Sequence, residues 1–173
     1  MRKLLTLTLL FGLFACQSES QKGSNASSFP ESIELTTSTG ASIKTRVALK
    51  WKDQEQGLSG VQPEDFEDDQ AVLFFNLEDA ERNFWMPDTY FDLDLFYLDQ
   101  NLKIIDIVRK LPHYKGRANP DLIPRARSVW SRHVLEMKSG SPISSALKID
   151  ETLQWKSEMP LTEAIEAAKK VER

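Results

Sequence analysis

Two carboxylates stand in apolar stretches of this chain, and neither position is cheap for a charge. Asp94 lies in Phe91-Asp92-Leu93-Asp94-Leu95-Phe96-Tyr97-Leu98. Read as a strand, this run puts Phe91, Leu93, Leu95 and Tyr97 on one face and Asp92, Asp94, Phe96 and Leu98 on the other. An acid between apolar neighbours must be paired or hydrogen-bonded. Unpaired, its pKa rises and it can serve as a general acid. Arg82, the Trp85 indole N–H and the Thr89 hydroxyl are the expected partners, and with Asp94 they form the expected ligand site. Glu136 lies on a second strand, on the face of Trp130, Arg132 and Val134, with Arg132 as its nearest expected partner. Asp94 and Glu136 together are the catalytic candidates, an acidic pair of the glycosidase kind whose separation would set the mechanism. The alternative is that Asp94 fastens a loop through backbone N–H groups. Trp85 and Met86 are adjacent and point to opposite faces. One enters the core; the other is free to line a groove where Trp could stack on a sugar.

Other chemistries find little support. His113 falls in a loop and His133 on a strand, where spacing puts His133 and Glu136 on opposite faces. With two histidines and one cysteine, no structural zinc site is expected. The acidic loop Pro63 to Gln70 lacks the order of a calcium loop. No Walker loop, GxGxxG, GxSxG or HExxH occurs, so no cofactor is expected. Lys110, Lys115, Arg117, Arg125, Arg127 and Arg132 form a basic stretch with Tyr114 and Trp130. It could meet an anionic envelope polymer or a protein partner; the alternative is a solvated loop.

Location is legible at the N-terminus. Residues 1–16 read MRKLLTLTLLFGLFAC, with Arg2 and Lys3 ahead of an apolar run that ends at the only cysteine. The run is shorter than the roughly 20 residues a membrane-spanning helix needs, so it reads as a signal peptide. Leu13-Phe14-Ala15-Cys16 resembles a bacterial lipobox. The expected organisation is a signal peptide (1–15), a lipidated Cys16 with a Ser-rich tether (16–30), a β-rich domain (31–157) and a C-terminal amphipathic helix (158–173). Acyl chains on Cys16 would hold the protein to a membrane, and Gln17 resembles an outer-membrane address. Lys+Arg number 22 against 26 Asp+Glu; without Arg2 and Lys3 the balance is 20 − 26 = −6. Such a chain is a poor match for nucleic acid.

The elements that must position these residues are short. Ser32 to Thr36 and Ala41 to Leu49 read as strands around Ser38-Thr39-Gly40. Asp53 is expected to cap a helical turn ended by Gly60. Ala71 to Leu77, apolar on both faces, reads as a central strand or a barrel wall. Asn83 to Met86, Leu93 to Leu98, Lys103 to Val108, Ser128 to Met137 and Leu153 to Lys156 complete the set. Leu111 to Ala126 is a long loop of the kind that often carries function, and the groove is expected beside it. Ser141 caps a helix beginning at Pro142. In the last segment Leu161, Ile165, Ala168 and Val171 share a helical face, either lying on the domain or docking a partner as an adaptor. The fold class is mostly β (α+β), a barrel-like or sandwich domain with short helices.

The run Arg82-Asn83-Phe84-Trp85-Met86-Pro87-Asp88-Thr89, followed by Leu93-Asp94-Leu95, resembles the FWMxNT…PLDI signature of the DUF192 (UPF0127) family. Gln56-Gly57-Leu58 resembles its RGL element, Leu73-Phe74-Phe75 its LFVF strand, Ile104 to Pro112 its IVxI…P segment and Val134-Leu135-Glu136 its VLE strand. The likeness runs over about residues 33–156. Departures are Ser59 after the RGL element, Ala71-Val72 for GM, Pro87-Asp88 for KN, Asp92 before Leu93-Asp94, and Asp150-Glu151 for the closing Gly-Asp. The resemblance implies a compact β-rich domain, often exported, and brings no established activity, cofactor or ligand. The first functional expectation is thus an envelope binding or assembly module, and the alternatives are a glycan hydrolase and a helix adaptor.

Overall fold

A computed structural model of the protein describes residues 29–171. The expected signal peptide, Cys16 and nearly all of the tether lie outside the described residues.

Strands β1 (Ser32–Thr36) and β2 (Ser42–Ala48) form the expected hairpin, turned at Gly40 with φ 85°. β2 then pairs in parallel with β3 (Gln70–Phe74). Parallel neighbours cannot be joined by a tight turn. Residues 49–69 therefore cross over and carry helix α1 (Trp51–Gln56). The helix starts earlier than expected, with Asp53 in its first turn, and it ends at Gly57 rather than Gly60. Gly57 stops it because its φ of 46° suits a residue without Cβ.

The short strands β4 (Ala80–Arg82) and β7 (Val129–Ser131) form a separate ribbon. In the main sheet β5 (Leu93–Leu98) lies between β6 (Ile104–Leu111) and β8 (His133–Lys138), and β8 pairs with β3. β9 (Gln154–Lys156) adds to β1, giving the order β6-β5-β8-β3-β2-β1-β9. The two end strands approach one another. Lys103 bridges Thr152, and the Ile104 N–H donates to Glu151 O at 2.8 Å. The seven-stranded sheet is thereby rolled toward a barrel, the expected α+β class. Two expected strands shift. Asn83 to Met86 is no strand; only Trp85 bridges Arg125, and the ladder lies just before it in β4. Ser128 to Met137 breaks at Arg132, because its first half leaves to pair β4 while its second stays in the sheet.

The sheet is buried on both faces. Leu35, Ile43, Leu73, Phe96 and Leu135 fill one side. Val72, Phe74, Leu95, Tyr97 and Val134 lie on the other, beneath Met86, Phe91 and Ile123. Helix α2 (Pro142–Ala146) is capped as expected, Ser144 N–H donating to Ser141 Oγ at 3.2 Å. Helix α3 (Leu161–Val171) lies on the first core, with Ala164 and Ala168 fully buried and Leu161 and Ile165 packed beside them. The face that an adaptor would offer to a partner is spent on the domain itself. Ala168→Leu should therefore overpack this contact and lower stability by about 1–3 kcal/mol. Urea unfolding measures it, and an unchanged midpoint would show that the helix is not bound to the core.

Candidate functional site

The register of β5 against β8 decides the fate of the acidic pair. Asp94 stands opposite Met137, and Glu136 stands opposite Leu95. Successive residues alternate across a sheet, so Asp94 shares the face of Phe96 and Met137 while Glu136 shares that of Leu95 and Val134. The sheet separates the two carboxylates, and they cannot flank one bond. The glycosidase pair is corrected on that ground.

Asp94 is buried and fully engaged. Oδ2 accepts from Ser144 Oγ at 2.6 Å and Arg109 Nη1 at 2.9 Å, and Oδ1 accepts from the Lys110 N–H at 2.8 Å. A β-bulge frees that amide: the ladder slips between Leu93 and Leu95, and Lys110 takes φ 53°. Arg109 also donates to Ser144 O at 2.6 Å and Leu147 O at 2.7 Å. Burial pushes the Asp94 pKa up, but the Ser144, Lys110 and Arg109 bonds together hold it below the ordinary carboxylate value. Asp94 thus fastens α2 to β5 and β6. Its expected partners Arg82, Trp85 and Thr89 do not touch it.

Those three residues meet elsewhere. They line a cavity of ≈ 370 Å³ whose floor is Phe74, Leu93 and Glu136 from the sheet. Trp51, Gly57 and Ser59 contribute to it from α1 and the turn after it. The two bordering segments are stitched where Ser59 Oγ donates to Pro87 O at 2.7 Å and Gly60 N–H to Asp88 O at 2.8 Å. Thr89 is buried, and its hydroxyl donates to Pro87 O at 3.3 Å. Met86 enters the core while Trp85 stays 42% exposed, its ring beneath the Arg125 guanidinium at 5.0 Å. Arg82 donates to Glu78 O at 2.7 Å, and its Nε is buried without a partner.

Glu136 is the unusual member. It is 4% exposed, and its Oε2 has no hydrogen-bond partner. Burial pushes its pKa up to about 8, tempered by the charge of Arg46. The expected partner Arg132 instead pairs with Asp79 at 2.7 Å. Gly57 faces the carboxyl: a Cβ there would stand 3.6 Å from Oε2 and 3.2 Å from Phe74 Cζ. Arg46 holds this turn by donating to Gly57 O at 2.7 Å. Spacing gave no sign of Gly57, Trp51 or Arg46 as site residues; the nearest signal was the RGL-like element itself.

The loop 111–126 supports the cavity from behind and does not line it. Met86 N–H donates to Pro124 O at 3.1 Å and Ala126 N–H to Phe84 O at 2.8 Å. Basic residues in and beside it are engaged: Lys115 lies over Tyr90, Arg125 over Trp85, and Arg127 pairs with Asp106. His113 contacts Asp92 at 2.7 Å. His133 accepts from the Asn76 N–H at Nδ1, 3.1 Å, which assigns its proton to Nε2, and it stacks on Phe75. Burial lowers its pKa to about 3. Among the described residues no group of three His, Cys, Asp or Glu side chains could hold a metal ion.

The model of DUF192, described as an uncharacterized ACR, matches residues 33–155. The chain belongs to the DUF192 family. The matched stretch contains every residue lining the Glu136 cavity. No curated protein matches the chain. Two crystal structures show the same fold. One is of a Sinorhizobium meliloti 1021 protein provisionally described as a transcription regulator, 22% identical with TM-score 0.55, covering 74% of this chain and 95% of its own. The other is a protein of unknown function from Novosphingobium aromaticivorans DSM 12444, 18% identical with TM-score 0.56, covering 72% and 84%. At such identities the likeness concerns fold alone.

Two stability measurements separate the carboxylates. Asp94 titrates lower in the folded chain, so its contribution is present above the ordinary carboxylate value and is lost as pH falls below it. Asp94→Ala should cost about 3 kcal/mol at neutral pH, since it strands part of Arg109. A cost below about 1 kcal/mol would remove Asp94 from the scaffold. Glu136 has the opposite sign. Its pKa is raised from 4.5 to about 8, so stability is full below 4.5 and falls as pH rises through about 8. Glu136→Gln should be more stable than the parent by on the order of 3 kcal/mol at pH 7, with the gap closing toward pH 4. Parallel pH profiles for the two proteins would contradict this.

Proposed function

We propose that this DUF192 protein is a membrane-anchored binding module of the cell envelope, with the cavity over Glu136 as its ligand site. Acyl chains on Cys16 supply the anchor, and the Ser-rich segment before the domain supplies a short reach from an outer membrane. The order of charge, apolar run and Cys16 at the N-terminus supports the location.

One observation carries the binding reading: a buried carboxyl whose Oε2 has no partner, at the floor of a cavity beside an exposed tryptophan. An unsatisfied buried acid costs stability, and a ligand oxygen would relieve that cost. Hydrolysis is less well supported, because the partner carboxylate Asp94 faces the other side of the sheet. Glu136→Leu is expected to keep the fold, since it replaces a buried acid with an apolar side chain of similar size, and it removes the polar anchor. Native mass spectrometry of the lipidated protein from envelope extract should show a small-molecule adduct that Glu136→Leu lacks. Labelled palmitate should enter the parent and not Cys16→Ser. An adduct-free parent would end the binding reading, and palmitate in Cys16→Ser would end the anchor.

A further inference from the structure

Building on the binding reading, we infer that the Glu136 cavity takes a neutral saccharide, one ring resting on Trp85 and one hydroxyl meeting the Glu136 carboxyl. A pyranose has two kinds of surface, a flat patch of C–H groups and a rim of hydroxyls that both donate and accept. The cavity has the counterpart of each. Trp85 is 42% exposed and Trp51 is 78% exposed, and both line it. An indole presents a broad apolar face to such a patch. A protonated carboxyl donates through its O–H and accepts through its other oxygen. Glu136 brings that group to the floor, with nothing in the protein bonded to Oε2.

Charge argues against competing ligands. Glu55 and Glu81 line the same cavity, and among the described residues neither takes part in an ion pair. They repel phosphate, sulfate and carboxylate groups. Among the described residues Arg82 is the one cation lining the cavity, and its guanidinium already donates to Glu78 O; Arg46 beside Glu136 is spent on Gly57 O and Arg125 on the Trp85 ring. A hydrocarbon ligand would leave the buried Glu136 Oε2 and Arg82 Nε unpaired, which is costly. A peptide added as a strand would need free backbone groups, yet Met86 N–H and Phe84 O are taken by residues 124 and 126. The volume of ≈ 370 Å³ falls at the small end of ligand pockets, suited to one or two sugar units. Gly57 completes the fit, because any side chain there would intrude on the space over Oε2.

The test is a titration of the purified lipid-anchored protein in detergent with chitotriose, cellotriose and maltotriose. Tryptophan fluorescence and the indole N–H resonances report contact. At least one trisaccharide should shift the Trp85 signal. Glu136→Gln should bind within about twofold of the parent, since an amide also donates and accepts. Glu136→Leu and Trp85→Ala should each weaken binding by about tenfold. Melting curves check that both variants fold. Three results would overturn the inference: no trisaccharide shifts any indole signal, Glu136→Leu binds as the parent does, or tri-alanine or glucuronate binds more tightly. If the sugars fail while an adduct is still seen by mass spectrometry, the saccharide class falls and the binding module stands. If both fail, both readings fall.

Discussion

A sheet with apolar cover on both faces has no solvent side for a polar group to turn to. Every charged side chain on its central strands must find partners within the protein or stay neutral. β5 and β8 each carry one such acid, and the chain resolves them in opposite ways. Asp94 is given a hydroxyl, an amide and a guanidinium, and it remains charged. Glu136 is given nothing for one oxygen, and burial raises its pKa. The first arrangement joins α2, β5 and β6 into one unit. The second leaves unmet hydrogen-bonding capacity on the sheet beneath an opening.

That division also explains how the site is held. The floor belongs to strands that pair on both sides, and the walls are loops tied to each other and to residues 114–126. Ser59, Gly60 and Thr89 use their polar groups on that stitching, so the walls keep their spacing without a ligand. Arg46 adds a third tie at Gly57. A rigid wall opposite an unsatisfied acid is preorganised in the sense that matters for affinity, since little ordering remains to be done on binding.

Much of the fold was legible because alternation is a local signal. The hairpin of β1 and β2, the two faces of β5 and the cap at Ser141 all follow from nearest neighbours along the chain. The break at Arg132 did not, because it arises when β7 leaves the sheet to pair β4, a distant partner. The site was half legible. Arg82, Trp85 and Thr89, expected around Asp94, line a cavity whose buried acid is Glu136. Sequence distance favoured Asp94, which sits a few residues away. Strand register decides otherwise, and register between β5 and β8 is invisible in the residues of either strand alone. Gly57 and Trp51 arrive through a crossover whose path depends on the parallel pairing of β2 with β3.

The pairing of β9 with β1 carries a consequence for synthesis. Among the described strands β1 is the first to be made, and β9, its second neighbour, is the last. Until β9 docks, β1 shows a bare row of amides and carbonyls to any passing chain. A product cut short before residue 154 would keep that sticky margin for good. Quality control in the compartment where the chain folds would meet it as an aggregation hazard, even though most of the domain had already been made.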